Sequence, residues 1–142
     1  MPSAQHSVSI QRPLGDVFAF VADGENAMRW RPGVLDVSHH AGEGLGAIYR
    51  QGVRGPGGRR IAADYEITAF EPDRRIAFRA IAGPVRPTGE YRFEPEGDGT
   101  TVSLGLDATL TGWKRLLMGR AVQSTMEAEV HNLETLKAIL ES

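Results

Sequence analysis

GWKRLLMGRAVQSTMEAEVHNLETLKAILES, residues 112–142, is the stretch whose reading decides the fold. It reads as one long amphipathic helix. Leu116, Met126, Val130, Leu133, Leu136 and Leu140 recur at three- and four-residue steps and so share a stripe. Lys114, Arg115, Glu127, Glu129, Glu134 and Lys137 fall mostly elsewhere. A helix polar on one side must lay its apolar stripe against another element. Nearly everything before residue 112 carries the two-residue period of strands, so that element is a sheet. The reading predicts a curved antiparallel sheet that closes on the helix and leaves a hole between them.

Working back to the N-terminus, Val8 and Ile10 alternate with Ser7, Ser9 and Gln11, which predicts a first strand with one wet face. Arg12-Pro13 ends it, and Val17, Phe18, Phe20 and Val21 follow at helical spacing. That short helix is expected to stop near Asp23-Gly24, with glycine supplying the left-handed geometry of a helix end. Glu25 to Trp30 predicts a second short helix, cut off by Pro32-Gly33. Strands follow over Val34–His40, Gly46–Val53, Arg60–Phe70, Ile76–Ile81, a stretch carrying Tyr91 and Phe93, and Thr101–Leu110. Gly55-Pro56-Gly57-Gly58, Glu71-Pro72-Asp73-Arg74 and Glu96-Gly97-Asp98-Gly99 are turns. Short turns between neighbouring strands mean antiparallel pairing. The order is one strand, two short helices, six strands and a long helix, within a single domain over residues 1–142.

Composition narrows the function classes. A chain of 142 residues with net charge −2 can bury a sizeable core and is a poor partner for a phosphate backbone, so no nucleic-acid role is expected. It contains no cysteine, which excludes disulfides, thiolate catalysis and zinc–thiolate sites. Met1–Ser9 lacks the basic and apolar regions of a signal peptide, and no apolar run approaches the roughly 18 to 20 residues of a membrane span. The expectation is a cytoplasmic domain without integral membrane association; a homodimer is left open. Arginine outnumbering lysine hints at a bacterial source. His39 and His40 are adjacent on a strand and point to opposite faces, so they do not chelate one ion. Glu127 and His131 read as a surface pair on the helix. No metal and no cofactor is expected.

Four stretches carry a resemblance to a known superfamily. They are Val8-Ser9-Ile10 to Pro13 followed by Asp16-Val17-Phe18; Trp30-Arg31-Pro32-Gly33-Val34; Gly46 to Arg50; and Asn132-Leu133 to Lys137 with Leu140-Glu141. In order and spacing the chain resembles the START-like, or Bet v 1-like, superfamily (SRPBCC), in particular its polyketide cyclase/dehydrase branch. The resemblance implies an α+β helix-grip fold. A seven-stranded antiparallel sheet wraps the C-terminal helix and encloses an apolar cavity, with two short helices between strands 1 and 2. It implies no catalytic residue, because no single motif here marks a catalytic set.

Strand alternation nominates the residues that line such a cavity: Tyr49, Gln51, Tyr65, Ile67, Phe78, Tyr91, Phe93 and Leu104, with Ile76 and Val102 beside them. The helix contributes Leu117, Val122, Met126 and Val130, and Trp30 sits near the mouth. Three tyrosines share the inward parity, and a buried phenol needs a partner for its hydroxyl, which suits a partly wet cavity better than a dry core. Trp113 is expected to wedge the start of the long helix against the sheet rim. The leading expectation is a carrier or sensor of a small hydrophobic or aromatic molecule, oriented by Tyr65 and Tyr91. The alternative is a polyketide cyclase/dehydrase-like enzyme in the same cavity. Against it, the inward strand faces hold no clear Asp, Glu or His to move a proton. A third reading is a protein-interaction or regulatory module.

Overall fold

The computed structural model describes residues 2–142. Strand β1 (Ser3–Ile10) leads to helix α1 (Leu14–Ala22), a single 3-10 turn over Gly24–Asn26, and the short α2 (Ala27–Trp30). Then come β2 (Val34–Ala41), β3 (Ile48–Arg54), β4 (Arg60–Ala62), β5 (Tyr65–Glu71), β6 (Arg75–Ala80), β7 (Thr88–Glu96) and β8 (Gly99–Asp107). Helices α3 (Gly112–His131) and α4 (Leu133–Glu141) close the chain.

The sheet is antiparallel throughout, in the order β1-β8-β7-β6-β5-β3-β2, with the three-residue β4 attached to β3 off that path. This is the seven-stranded helix-grip sheet, with one refinement. The long strand expected over Arg60–Phe70 breaks at Ala63-Asp64. There the Asp64 carboxylate accepts the Gln51 backbone N–H at 3.1 Å, and the Ala63 N–H donates to Gln51 O at 2.8 Å. A side chain has taken a ladder position, so the pairing of β3 divides between β4 and β5.

The C-terminal helix also breaks, once. The Asn132 N–H donates to Glu129 O, three residues back, which tightens one turn between α3 and α4. The buried stripe runs through that turn without loss: Met126, Val130, Leu133, Leu136 and Leu140 are each under a tenth exposed. Leu116 does not belong to it. The residue is 87 % exposed, and Leu117 and Trp113 are 75 % and 64 % exposed. The expectation that these three face the sheet is therefore corrected. Ten residues separate Leu116 from Met126, and at about 100° per residue that interval turns Leu116 roughly 80° from Met126, to the margin of the stripe beyond Val130. Trp113 and Leu117 lie still further round.

The helix is fastened to β1 at both ends. Gln123 exchanges hydrogen bonds with the Ser3 backbone, Lys137 donates to Ser9 O, and Glu141 accepts from Gln11 N. Arg12 donates to Leu140 O at 2.9 Å. Helix α1 stops at Ala22 as expected, but Gly24 is not left-handed. Its lack of a side chain serves a close approach instead: a Cβ there would lie 2.4 Å from Tyr65 Oη and 2.7 Å from the Tyr49 ring.

Candidate functional site

The inner face of the sheet assembles a row of rings by register alone. Tyr49 pairs with Tyr65, Ile67 with Phe78, Ile76 with Tyr91, and Tyr91 with Leu104 across neighbouring strands. Directly paired residues share a face, and the rings pack in sequence. Tyr49 stacks on Tyr65 at 5.1 Å, Tyr65 meets Phe78 edge-on at 5.8 Å, and Phe78 lies 5.9 Å from Tyr91. Trp30, brought in by α2 and 4 % exposed, meets Tyr91 edge-on at 6.2 Å. Gly89, opposite Phe78, leaves room for the Phe78 ring; a Cβ there would be 2.2 Å from it.

At the centre of this arc lies a charge the strand pattern gave no hint of. Arg31, the residue after Trp30, points inward, its side chain only 15 % exposed, and forms an ion pair with Glu129 of α3, 24 % exposed. Its second hydrogen bond goes to Gln51 Oε1 at 3.1 Å, and Gln51 Nε2 in turn donates to Ala63 O at 3.2 Å. Gln51 is thus committed to the protein on both sides of its amide and acts as the bracket that aims Arg31. Asn132 Nδ2 reaches Glu129 Oε2 at 3.5 Å, so the tightened turn between α3 and α4 sits beside the pair.

The electrostatics follow from that placement. Burial pulls the Arg31 guanidinium down, but the charge of Glu129, with Tyr91, Tyr65 and the Glu129 hydrogen bond, holds it above its ordinary value. Burial pushes the Tyr91 phenol up to about 12, with Arg31 opposing and Glu129 adding. Burial raises Tyr65 as well, again against Arg31. Tyr49 is raised chiefly by burial. At neutral pH the three phenols are neutral donors. Neither Tyr65 nor Tyr91 owes any of its shift to a hydrogen bond, and among the described residues no fully buried side-chain oxygen or nitrogen lacks a partner. Both hydroxyls lie within the electrostatic reach of Arg31 and are not tied to it by a hydrogen bond.

The structure gathers some of the nominated residues and separates others. Tyr65 and Tyr91 lie within reach of Arg31, Phe78 and Trp30 pack on those two rings, and Gln51 bonds the guanidinium. Tyr49 stacks behind Tyr65, on the side of His39, whose ring lies 5.1 Å away. Phe93 turns from the centre to pack on Phe18 at 5.0 Å. Ile67, Leu104, Met126 and Val130 are buried floor, and Val122 is half-buried at its edge. The rings close on one another here, so the expectation of an open hole between sheet and helix is corrected: bulky side chains on both faces fill that space. Two open grooves lie elsewhere, at the start of α3: one of about 480 Å³ beside Arg86 and Lys114, one of about 500 Å³ beside Pro2 and Leu116.

Arg31 and Glu129 were missed because each reads as an ordinary surface charge. Glu129 lies one residue from the buried Val130, a spacing that permits either face, and Arg31 sits in a turn with no period at all. His39 and His40 are both exposed, and no cluster among the described residues could hold a metal ion. The Glu127–His131 pair takes another form: the ring bonds the Glu127 backbone carbonyl and packs on His6 at 4.4 Å, while His6 pairs with Glu134.

Comparison with known proteins agrees with this architecture. Residues 1–138 match the sequence family described as polyketide cyclase / dehydrase and lipid transport. No curated relative matches the sequence. Among solved structures, TTHA0849 from Thermus thermophilus is 25 % identical, covering 99 % of this chain and 100 % of its own, with a TM-score of 0.77. A START superfamily protein from Mycobacterium smegmatis is 15 % identical, covering 98 % and 97 %, at 0.76. The Zhui aromatase/cyclase from a Streptomyces species is 19 % identical, covering 97 % and 90 %, at 0.71.

Proposed function

The chain belongs to the polyketide cyclase/dehydrase and lipid transport family, and from that premise we propose that it is a carrier or sensor of a small hydrophobic or aromatic molecule held between the sheet and the C-terminal helix. The observation that carries this reading is Arg31, an inward guanidinium that acts on Tyr65 and Tyr91, two members of a row of packed rings that also holds Phe78 and Trp30. An apolar wall with a few convergent polar groups is the usual composition of a small-molecule site. An ion pair inside such a wall adds little to stability, because desolvation cancels most of the attraction. It does offer a ligand one strong polar anchor. A flat molecule entering beside Trp30 would have to part the closed rings; it would then stack on them, take a hydrogen bond from Tyr65 or Tyr91, and exchange one contact of Arg31 with Glu129 for its own oxygen.

The test is native mass spectrometry of freshly purified protein, followed by titration of the retained molecule or of screened aromatic acids and phenols. Tyr65→Phe and Tyr91→Phe are expected to weaken binding roughly 2- to 12-fold each, the worth of one hydrogen bond. Arg31→Met is expected to cost more. Unchanged affinity in all three variants would remove this site from consideration.

A second reading, cyclisation or dehydration of a polyketide-like substrate, is favoured by one observation. The carboxylate of Glu129 supplies the inward proton acceptor that the strand faces lack. Turnover of a poly-β-ketone substrate that Glu129→Gln abolishes without loss of binding would select the enzyme over the carrier.

A further inference from the structure

The first two turns of α3 present apolar side chains to solvent. Trp113, Leu116 and Leu117 are 64 %, 87 % and 75 % exposed, three of the five large apolar side chains that stand exposed in the described structure. They are neighbours at helical steps of three and four, so they form one patch, with Trp113 and Leu117 on the side of α3 turned away from buried Met126. Scattered exposed apolar residues need no explanation, but a contiguous patch of a tryptophan and two leucines does.

Charge separates this patch from the rest of the surface. Between Ala108 and Met126 the chain carries Lys114, Arg115 and Arg120 and no acidic residue. The whole chain has 16 lysines and arginines against 18 acids; without these three cations, 13 stand against 18. The molecule is therefore an acidic body with a basic, apolar tip. The groove beside the first turn extends the tip: Arg86 and Lys114 line it, with Asp107 its one acid. A second groove, between Pro2 and Arg115, Leu116 and Arg120, lies along the next turns.

We infer that this tip docks peripherally on an anionic lipid surface, with Trp113, Leu116 and Leu117 entering the headgroup boundary and Lys114, Arg115 and Arg120 facing lipid phosphates. Tryptophan and leucine beside a fringe of lysine and arginine match the side chains of interfacial helices. Each cation near an anionic leaflet adds to the attraction. A second copy of this chain is the poorer occupant. A twofold interface sets the same patch against itself, and three cations would then meet three cations. Docking would not place α3 across a bilayer: among the described residues no helix is long and apolar enough to cross one.

The experiment is co-sedimentation of the full chain with vesicles of phosphatidylcholine alone and with vesicles containing roughly one-third phosphatidylglycerol. Binding is expected to the anionic vesicles only, and to fall as salt approaches about 0.5 M, where charge is screened within a few ångströms. Leu116→Ser with Leu117→Ser should reduce it by about tenfold or more, and each of Lys114→Gln, Arg115→Gln and Arg120→Gln by about fivefold. All five side chains are exposed or at the rim, so circular dichroism and Tm should match the parent, which separates lost docking from lost fold. The inference is overturned by equal binding to both vesicle types, by no binding to either, by a serine double variant that binds like the parent, or by a concentration-dependent dimer that the same variant dissolves.

Discussion

Breaking the Arg31–Glu129 pair gives the sharpest test of the inward charge. The two side chains are 15 % and 24 % exposed, so the pair lies between the surface limit of about 0–1 kcal/mol and the 3–5 kcal/mol lost when one partner of a buried pair is removed. Glu129→Ala leaves the guanidinium with Gln51 Oε1 as its remaining side-chain acceptor, and we expect a loss of about 2–4 kcal/mol. Arg31→Met leaves Glu129 only the 3.5 Å approach of Asn132 Nδ2, and about 2–3 kcal/mol is expected. The double variant loses both charges and retains an apolar side chain of similar length, so it should cost no more than either single change. The coupling is then at least the larger single loss, about 2–4 kcal/mol. Urea denaturation of the four proteins measures it, and a single-variant loss of about 3 kcal/mol should also lower Tm by roughly 10 °C. Additive losses, with a coupling below about 0.5 kcal/mol, would mean that Arg31 and Glu129 are solvated independently and that the proposed anchor does not exist.

Tyrosinate absorbance offers a second measurement. Tyr91, raised to about 12 by burial, should ionise well after the ordinary phenol value of about 10, and Tyr91→Phe should reduce the late absorbance step to the share of Tyr65 and Tyr49, which burial also raises. The sign is fixed by linkage. Between pH 10 and 12 the unfolded chain has released this proton and the folded chain retains it. Stability is therefore full below about pH 10 and falls as pH rises, by about 2–3 kcal/mol at the upper end. A native titration indistinguishable from that of the urea-unfolded chain would contradict it. Gly24→Ala should cost about 1–3 kcal/mol, because its Cβ would lie 2.4 Å from Tyr65 Oη and 2.7 Å from the Tyr49 ring. Gly15→Ala, on α1 with nothing near its Cβ, is the control and should be neutral or stabilising in the same thermal melt.

Much of this fold is legible without coordinates, because period and turn chemistry are local. The alternation that put Tyr49, Tyr65, Phe78, Tyr91 and Leu104 on one face survives in the registers of β3, β5, β6, β7 and β8. The stripe Met126–Leu140 survives as the buried side of α3 and α4. Local signals fail where a long-range contact competes. Asp64 breaks the expected Arg60–Phe70 strand by capturing a backbone N–H of β3, a partner 13 positions away that no window would reveal. Leu116 and Leu117 look like more of the stripe, but a helix buries only what the sheet reaches.

The sequence by itself therefore determined which residues face inward along each strand and that a helix must cover them, since both follow from geometry repeated every few residues. Only tertiary structure decided that Arg31 and Glu129, 98 positions apart, meet inside that wall. A charge carries no mark of its own burial. Whether it lies in water or against a partner depends on what the rest of the chain brings to it.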